Sequence, residues 1–242
     1  MTNGFEDLKA LFLNCSIKYD GAQSHTRRLL ARSAGIMGSQ GVDVELLHIL
    51  DHEIAFGMVK DATEDGRTRD DWPAIQAKIM NADILIIGTP IWLGMKSSVS
   101  MLVIERMYAY SGDRNDKGQY LYYGKTAGCV VTGNEDGIKA CAMHVLYAMA
   151  HIGYTIPPQP DCGWIGEAGP GASYGDVVDG SDAPVGYDND FTMKNCTIMS
   201  WNLMHTARAL KDSGGLPTTG NRADHWQDDP NAREQDPERT KF

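Results

Sequence analysis

Apolar and polar positions alternate along this chain on two periods, one suited to strands and one to helices. Residues 9–13 form a first apolar run. A polar loop follows, and Thr26, Leu30, Ala34 and Met37 then recur at helical spacing, stopping near Gly38 and Gly41. Residues 42–47 alternate with Asp43 and Glu45, the pattern of a strand nearer a sheet edge. Residues 51–70 are charged and irregular, an excursion loop, and Trp72-Pro73 open a short helix to Met80 with proline in the first turn. The run 84–87 is apolar without a break, as expected of a central parallel strand covered on both faces, and it gives way to a turn at Gly88-Thr89-Pro90.

A strongly apolar helix is expected over 97–110, a Tyr-rich loop over 111–124 and a fourth strand over 127–131. A helix then runs to about His151, a short fifth strand occupies 153–156, and Pro157-Pro158 close it. Residues 157–189 hold many of the Gly and Pro residues and read as a long lid. Cys196, Ser200, Leu203, Ala207 and Leu210 share one face of a last helix ended by Gly214-Gly215. The polar tail, 216–242, has one large aromatic, Trp226, and is expected to be disordered or draped on a neighbour. Strands alternating with helices give a doubly wound α/β domain over 1–215. Ligands of such sheets bind beyond the C-terminal strand ends, which singles out the loops 14–26, 88–98 and 132–137.

Composition narrows the partners. A chain of 242 residues with formal charge −10 and pI about 5.1 argues against nucleic acid and anionic membranes, which reward clustered cations. No run approaches the roughly 20 apolar residues of a membrane span. The first residues lack the cationic and apolar parts of a secretory leader. Five scattered cysteines suggest reduced thiols in a cytoplasm. The apolar stripe of helix 97–110 is wider than one sheet face covers, so a homodimer or higher homo-oligomer is expected.

Each of the three loops has its own chemistry. The first offers the hydroxyls of Ser16, Ser24 and Thr26, with Lys18 and His25, at a helix start, where free N–H groups and the helix dipole suit a phosphate. Ser24 also reads as a plain helix cap, and Asp20 should face water. Gly21 stands alone where a dinucleotide fingerprint would place three glycines, which favours a mononucleotide. The second loop presents Trp92 on a Gly/Pro hinge, and the third has Gly133 and Gly137 for close backbone approach.

Other motifs lack their context. Residues 171–175 fit Gly-x-Ser-x-Gly without the flanking strand and helix of a nucleophile elbow; Tyr174 there is a candidate ligand or substrate contact. Residues 118–126 resemble a P-loop with one residue too many, placed before a strand. Neither Cys141, His144 and His151 nor His48 and His52 have zinc spacing.

Ser16 with Ser24-His25-Thr26, Thr89-Pro90-Ile91-Trp92-Leu93-Gly94 with Ser97-Ser98, and Gly133-Asn134-Glu135 together resemble the flavodoxin-like superfamily. They resemble in particular its NAD(P)H-dependent FMN reductase and iron–sulfur flavoprotein branch. The resemblance spans about 8–156 and the last helix. It implies a five-stranded parallel sheet of order 2-1-3-4-5 and FMN as cofactor. It assigns phosphate to Ser16, Lys18, Ser24, His25 and Thr26, and the ring to Pro90, Ile91, Trp92, Leu93, Gly94, Thr132, Gly133, Asn134 and Glu135. Ser16-Ile17-Lys18 departs from the Ser-Pro-Arg common in that branch, and no compact cysteine run is present for a cluster. The implied activity moves electrons from NAD(P)H through FMN to a small acceptor such as a quinone, flavin, nitro or azo compound. No side chain need act as acid or base, so no catalytic residue is assigned. The alternative is a flavodoxin-like electron carrier without nicotinamide turnover.

Overall fold

In the computed structural model, which describes residues 4–169 and 171–224, apolar residues alternate in direction along each central strand. In β1 (Lys9–Asn14) and β3 (Ile84–Trp92), Leu11, Leu13, Leu85 and Ile87 join one core cluster, while Ala10, Phe12, Ile84 and Ile86 join another. A strand with two covered faces must be apolar at successive positions, which is why 84–87 carry no polar residue. The first cluster is completed by α2 (Trp72–Asn81), α3 (Ser98–Tyr108) and α4 (Ile138–Ile152). The second is completed by α1 (His25–Ser39) and α5 (Asp190–Asp212). The result is a three-layer, doubly wound α/β domain.

With β2 (Asp43–His48), β5 (Thr126–Gly133) and β6 (Asp161–Ile165), the parallel strands run in the order β2-β1-β3-β5-β6. Counting these five alone, this is the expected order 2-1-3-4-5. A two-residue strand, β4 (Met95–Lys96), folds back antiparallel on the end of β3.

Two boundaries differ from the sequence expectation. The edge strand is 161–165, not 153–156, where only Thr155 bridges Thr126; five residues of the expected lid therefore belong to the sheet. Gly163 permits this, because a Cβ there would lie 2.9 Å from Ile138 side-chain atoms and the Val131 carbonyl. β3 also continues through Pro90 to Trp92. β1 ends opposite Gly88, so beyond that point one side of β3 has no partner strand and the missing N–H of Pro90 costs little. The chain then reverses through Leu93 and Gly94, both at positive φ (50° and 74°), as a two-residue hairpin with a right-handed twist requires.

The excursion 52–71 is tied down by a buried ion pair. Arg106 Nη2 donates to Asp70 Oδ2 at 2.6 Å with both side chains at 0% exposure. The first part of the tail, 216–224, lies on the chain's own loop: Gln119 Nε2 donates to the carbonyls of Leu216 and Pro217, and Ala223 N to Gly118 O. Trp226 falls outside the described residues. Among the described residues, no helix is long and apolar enough to cross a membrane, and all five cysteines are free and buried.

Candidate functional site

The loops after β1, β3 and β5 converge on one cleft of about 430 Å³ at the C-terminal rim of the sheet. Its floor and walls include Ser16, Lys18, His25, Thr26, Pro90, Ile91, Trp92, Thr132, Gly133, Asn134 and Glu135. Three other expected residues are placed differently. Ser24 is fully buried below the cleft, where its Oγ caps α1 through Arg27 N and donates to Asn14 Oδ1. Leu93, 89% exposed, and Gly94 form the hairpin turn and do not line the cleft.

The first loop is shaped from beneath by residues that sequence reasoning passed over. Asn14, at the end of β1, accepts from Ser16 N and Ser24 Oγ and bonds His48 Nδ1 at 2.9 Å. His48 Nε2 lies 2.8 Å from the Lys18 carbonyl. Because a carbonyl only accepts, Nε2 carries the hydrogen and Nδ1 accepts from the Asn14 amide. His48, set aside in the sequence only as lacking zinc spacing, thus holds the loop bearing Lys18. The signal was present: a polar Asn14 ends an otherwise apolar strand. Asp20 faces solvent as expected, its carboxylate taken by Ala22 N. The second loop is fastened by Ser97, whose Oγ caps α3 and donates to Cys15 O at 2.7 Å.

Two nitrogen bases meet at one corner of the cleft. Lys18 Nζ lies 2.8 Å from His25 Nε2 and donates to Gln23 O at 2.9 Å. His25 Nδ1 lies 3.0 Å from the Tyr174 carbonyl, so Nδ1 carries the hydrogen and Nε2 accepts from the ammonium. Burial, then the neighbouring Lys18, pushes His25 below its ordinary value, so the ring is neutral at pH 7. Burial also lowers Lys18, partly opposed by Asp176. Two indoles also line the cleft, Trp92, 52% exposed, and the buried Trp164.

A strap, described over 166–169 and 171–187, brings Gly169, Gly171, Ser173 and Tyr174 to the cleft. Asn134 Nδ2 donates to the carbonyls of Glu167, Gly171 and Ala172, and its Oδ1 accepts from Ser173 Oγ. The Asn134 side chain is therefore committed to the strap, leaving its backbone to border the cleft. Arg28 pairs with Asp176 at 3.3 Å, and the Tyr174 ring packs on Trp164 and Tyr187. Ser173, the central residue of the Gly-x-Ser-x-Gly match, is a strap fastener with neither strand nor helix beside it. Trp164 and Ser173 were not expected in the site; Tyr174 was. Among the described residues no group of three or more His, Cys, Asp or Glu is placed to hold a metal.

Known proteins and one family model match this chain. A Mycobacterium bovis protein described as the divalent metal cation transporter MntH is 53% identical over 207 residues, covering 86% of this chain and 30% of that protein. The chain thus spans under a third of that relative's length. The 8-demethyl-8-aminoriboflavin-5'-phosphate synthase of Streptomyces davaonensis is 33% identical over 212 residues, covering 85% of this chain and 79% of the synthase. The crystal structure of RosB with bound 8-demethyl-8-formylriboflavin-5'-phosphate matches with a TM-score of 0.80 and 32% identity, over 94% of this chain and 87% of that one. Residues 8–164 match the NADPH-dependent FMN reductase family. This chain belongs to that flavodoxin-like family of flavin-dependent oxidoreductases.

Proposed function

We propose that the cleft holds FMN, with the phosphate beside Ser16, Lys18, His25 and Thr26 and the ring along 90–92 and 132–135. The observation that carries this reading is a lysine–histidine pair and two indoles lining one cleft. Lys18 supplies an ammonium donor for a phosphate dianion, with the His25 ring beside it, and Trp92 and Trp164 supply apolar faces for a fused ring. When bound, FMN supplies hydride acceptance and one- or two-electron transfer. The chain's own residues bind and orient: Lys18 and His25 fix one end, the β3 and β5 termini border the ring, and the strap excludes water from one side.

Electrons pass from NAD(P)H to a small acceptor such as a quinone, a flavin, or a nitro or azo compound. Anaerobic mixing of flavin-loaded protein with NADPH or NADH should bleach the flavin absorbance, with ping-pong steady-state kinetics. A loaded protein that neither nucleotide bleaches would point to an electron carrier instead. A second reading, in which flavin phosphate is itself processed in the cleft, is favoured by the likeness to the flavin-phosphate synthase and to RosB. Chromatography of the flavin released after turnover separates the two, since a resident cofactor returns as unaltered FMN.

Trp92→Ala removes the half-exposed ring at the cleft mouth. Loss of one aromatic stacking partner is worth about 1 kcal/mol, so FMN should bind roughly fivefold more weakly, read by equilibrium fluorescence titration. Unchanged affinity and spectrum would remove Trp92 from the ring site.

Two copies of the chain pair through α3 and α4. Val99, Val103 and Met107 join the sheet-side core, while Met101, Tyr108, Met143 and Tyr147 stay exposed on α3 and α4, with Lys96 and Glu105 as neighbouring charges of opposite sign. On a chain of charge −10 such a face lets copies approach with little repulsion, and at Met95 it adjoins the hairpin that carries Trp92. Met101→Glu with Tyr147→Glu should halve the sedimenting mass of the wild type while retaining its circular dichroism. A wild type that sediments as a monomer at micromolar concentration would contradict the pairing.

A further inference from the structure

The corner and the strap share one residue. His25 faces Lys18 through Nε2 and the strap through Nδ1. We infer that a phosphate seated beside Lys18 and His25 places a proton on His25 Nε2, and that the resulting imidazolium clamps the strap at Tyr174 and Asp176. His25 then becomes the residue by which the site distinguishes a flavin phosphate from the same flavin without one. The inference rests on the reading of the cleft as an FMN site.

Hydrogen bonding requires the proton. In the protein alone Nδ1–H is directed to the Tyr174 carbonyl at 3.0 Å, and the Nε2 lone pair accepts from Lys18 at 2.8 Å. A phosphate dianion beside them competes for the lysine's hydrogens and meets a lone pair on Nε2, which repels it. Uptake of one proton from solvent turns Nε2 into a donor, while Lys18 keeps its own proton and redirects it. No other bond changes.

The charged groups around the ring come from three elements. Lys18 belongs to the first loop, Arg28 to α1 and Asp176 to the strap, with Asp176 Oδ1 at 3.5 Å from Nδ1 and 3.3 Å from Arg28 Nη1. In the protein alone the two cations oppose protonation and Asp176 favours it. A dianion reverses the balance. The same proton strengthens the bond to Tyr174 O and the pairing with Asp176, because charge-assisted hydrogen bonds are the stronger class. Tyr174 carries the effect onward: Gly175 N donates to Val185 O at 2.8 Å and Val185 N to Asp176 O at 2.9 Å, so both arms of the strap move as one.

The test is calorimetry of the full chain at pH 7 with FMN and with riboflavin, each in two buffers of different ionisation enthalpy, alongside hydrogen exchange over 171–187. FMN binding should take up roughly 0.5–1 proton per flavin and slow exchange in the strap about tenfold. Riboflavin should do neither. His25→Gln should bind FMN more weakly, closer to its riboflavin affinity, and without proton uptake or slowing of the strap; His25→Asn serves the same purpose if the glutamine variant fails to fold. FMN binding to the wild type without proton uptake, or equal uptake by a His25 variant, overturns the role of His25 and leaves the FMN site standing. No FMN binding at all overturns both.

Discussion

Asp70→Ala should lower the unfolding free energy by about 3–5 kcal/mol, as expected when one partner of a buried ion pair is removed and the other stays. The site explains the size of the loss. Arg106 is fully buried, donates to Ala55 O at 2.8 Å, Lys60 O at 3.2 Å and Asp70 Oδ2 at 2.6 Å, and lies over the Trp72 ring at 5.5 Å. Asp70 in turn accepts from Ala62 N and Trp72 N. The variant leaves a guanidinium in the core with no counter-charge and the backbone amides of Ala55, Ala62 and Trp72 without their acceptor. Urea denaturation reads the effect, and Asp70→Leu with Arg106→Met should recover most of it, because an apolar pair carries no desolvation penalty. A loss under about 1 kcal/mol would show that the pair is solvated in solution.

The pair also sets a pH dependence. Burial tends to raise the Asp70 carboxyl, but hydrogen bonds from Arg106, Ala62 and Trp72 outweigh it and hold the group below its ordinary value. A depressed folded-state value means the stabilisation is present above the unfolded carboxylate range and is lost as pH falls below about 4. Asp70→Ala should therefore flatten the acid limb of the stability curve.

Lys18→Met should weaken FMN binding about 10–100-fold, the equivalent of losing one charge-assisted bond of about 1.5–3 kcal/mol. Lys18 is the cation whose Nζ reaches the His25 corner, and its loop is set by the Asn14–His48 bond beneath. Methionine keeps the length of the side chain and removes the charge. Riboflavin affinity, with no phosphate to lose, should stay within about twofold. Equal weakening of both flavins would mean that Lys18 shapes the cleft without meeting phosphate. Raised salt should narrow the difference between FMN and riboflavin in the wild type, since the corner is open to solvent.

The fold was legible because its central strands are covered on two faces and its helices on one, which leaves distinct periods in the sequence. Where that signal weakens, the reading slipped. β6 is an edge strand paired only with β5, and Asp161, Gly163 and the prolines before it hide the pattern. Pro90 reads as a stop, yet it sits where β1 has ended and no N–H is missed. The convergence of the three loops followed from topology alone, since parallel strands share one C-terminal rim. Side-chain direction did not follow. Ser24 turns inward to cap α1, Leu93 turns outward in the hairpin, and Asn134 turns to a strap whose path depends on contacts far apart in sequence. The Asp70–Arg106 pair escaped for the same reason, because its partners are separated by 36 residues and one lies in an irregular segment.

The account stands on the cleft being a flavin mononucleotide site. Its most direct test is the visible spectrum of the purified full chain, followed by titration of the flavin-stripped protein with FMN. The expected result is a flavin band with altered fine structure, saturating at one FMN per chain and weakened by Lys18→Met. A colourless protein that leaves the spectrum and fluorescence of added FMN unchanged would contradict it.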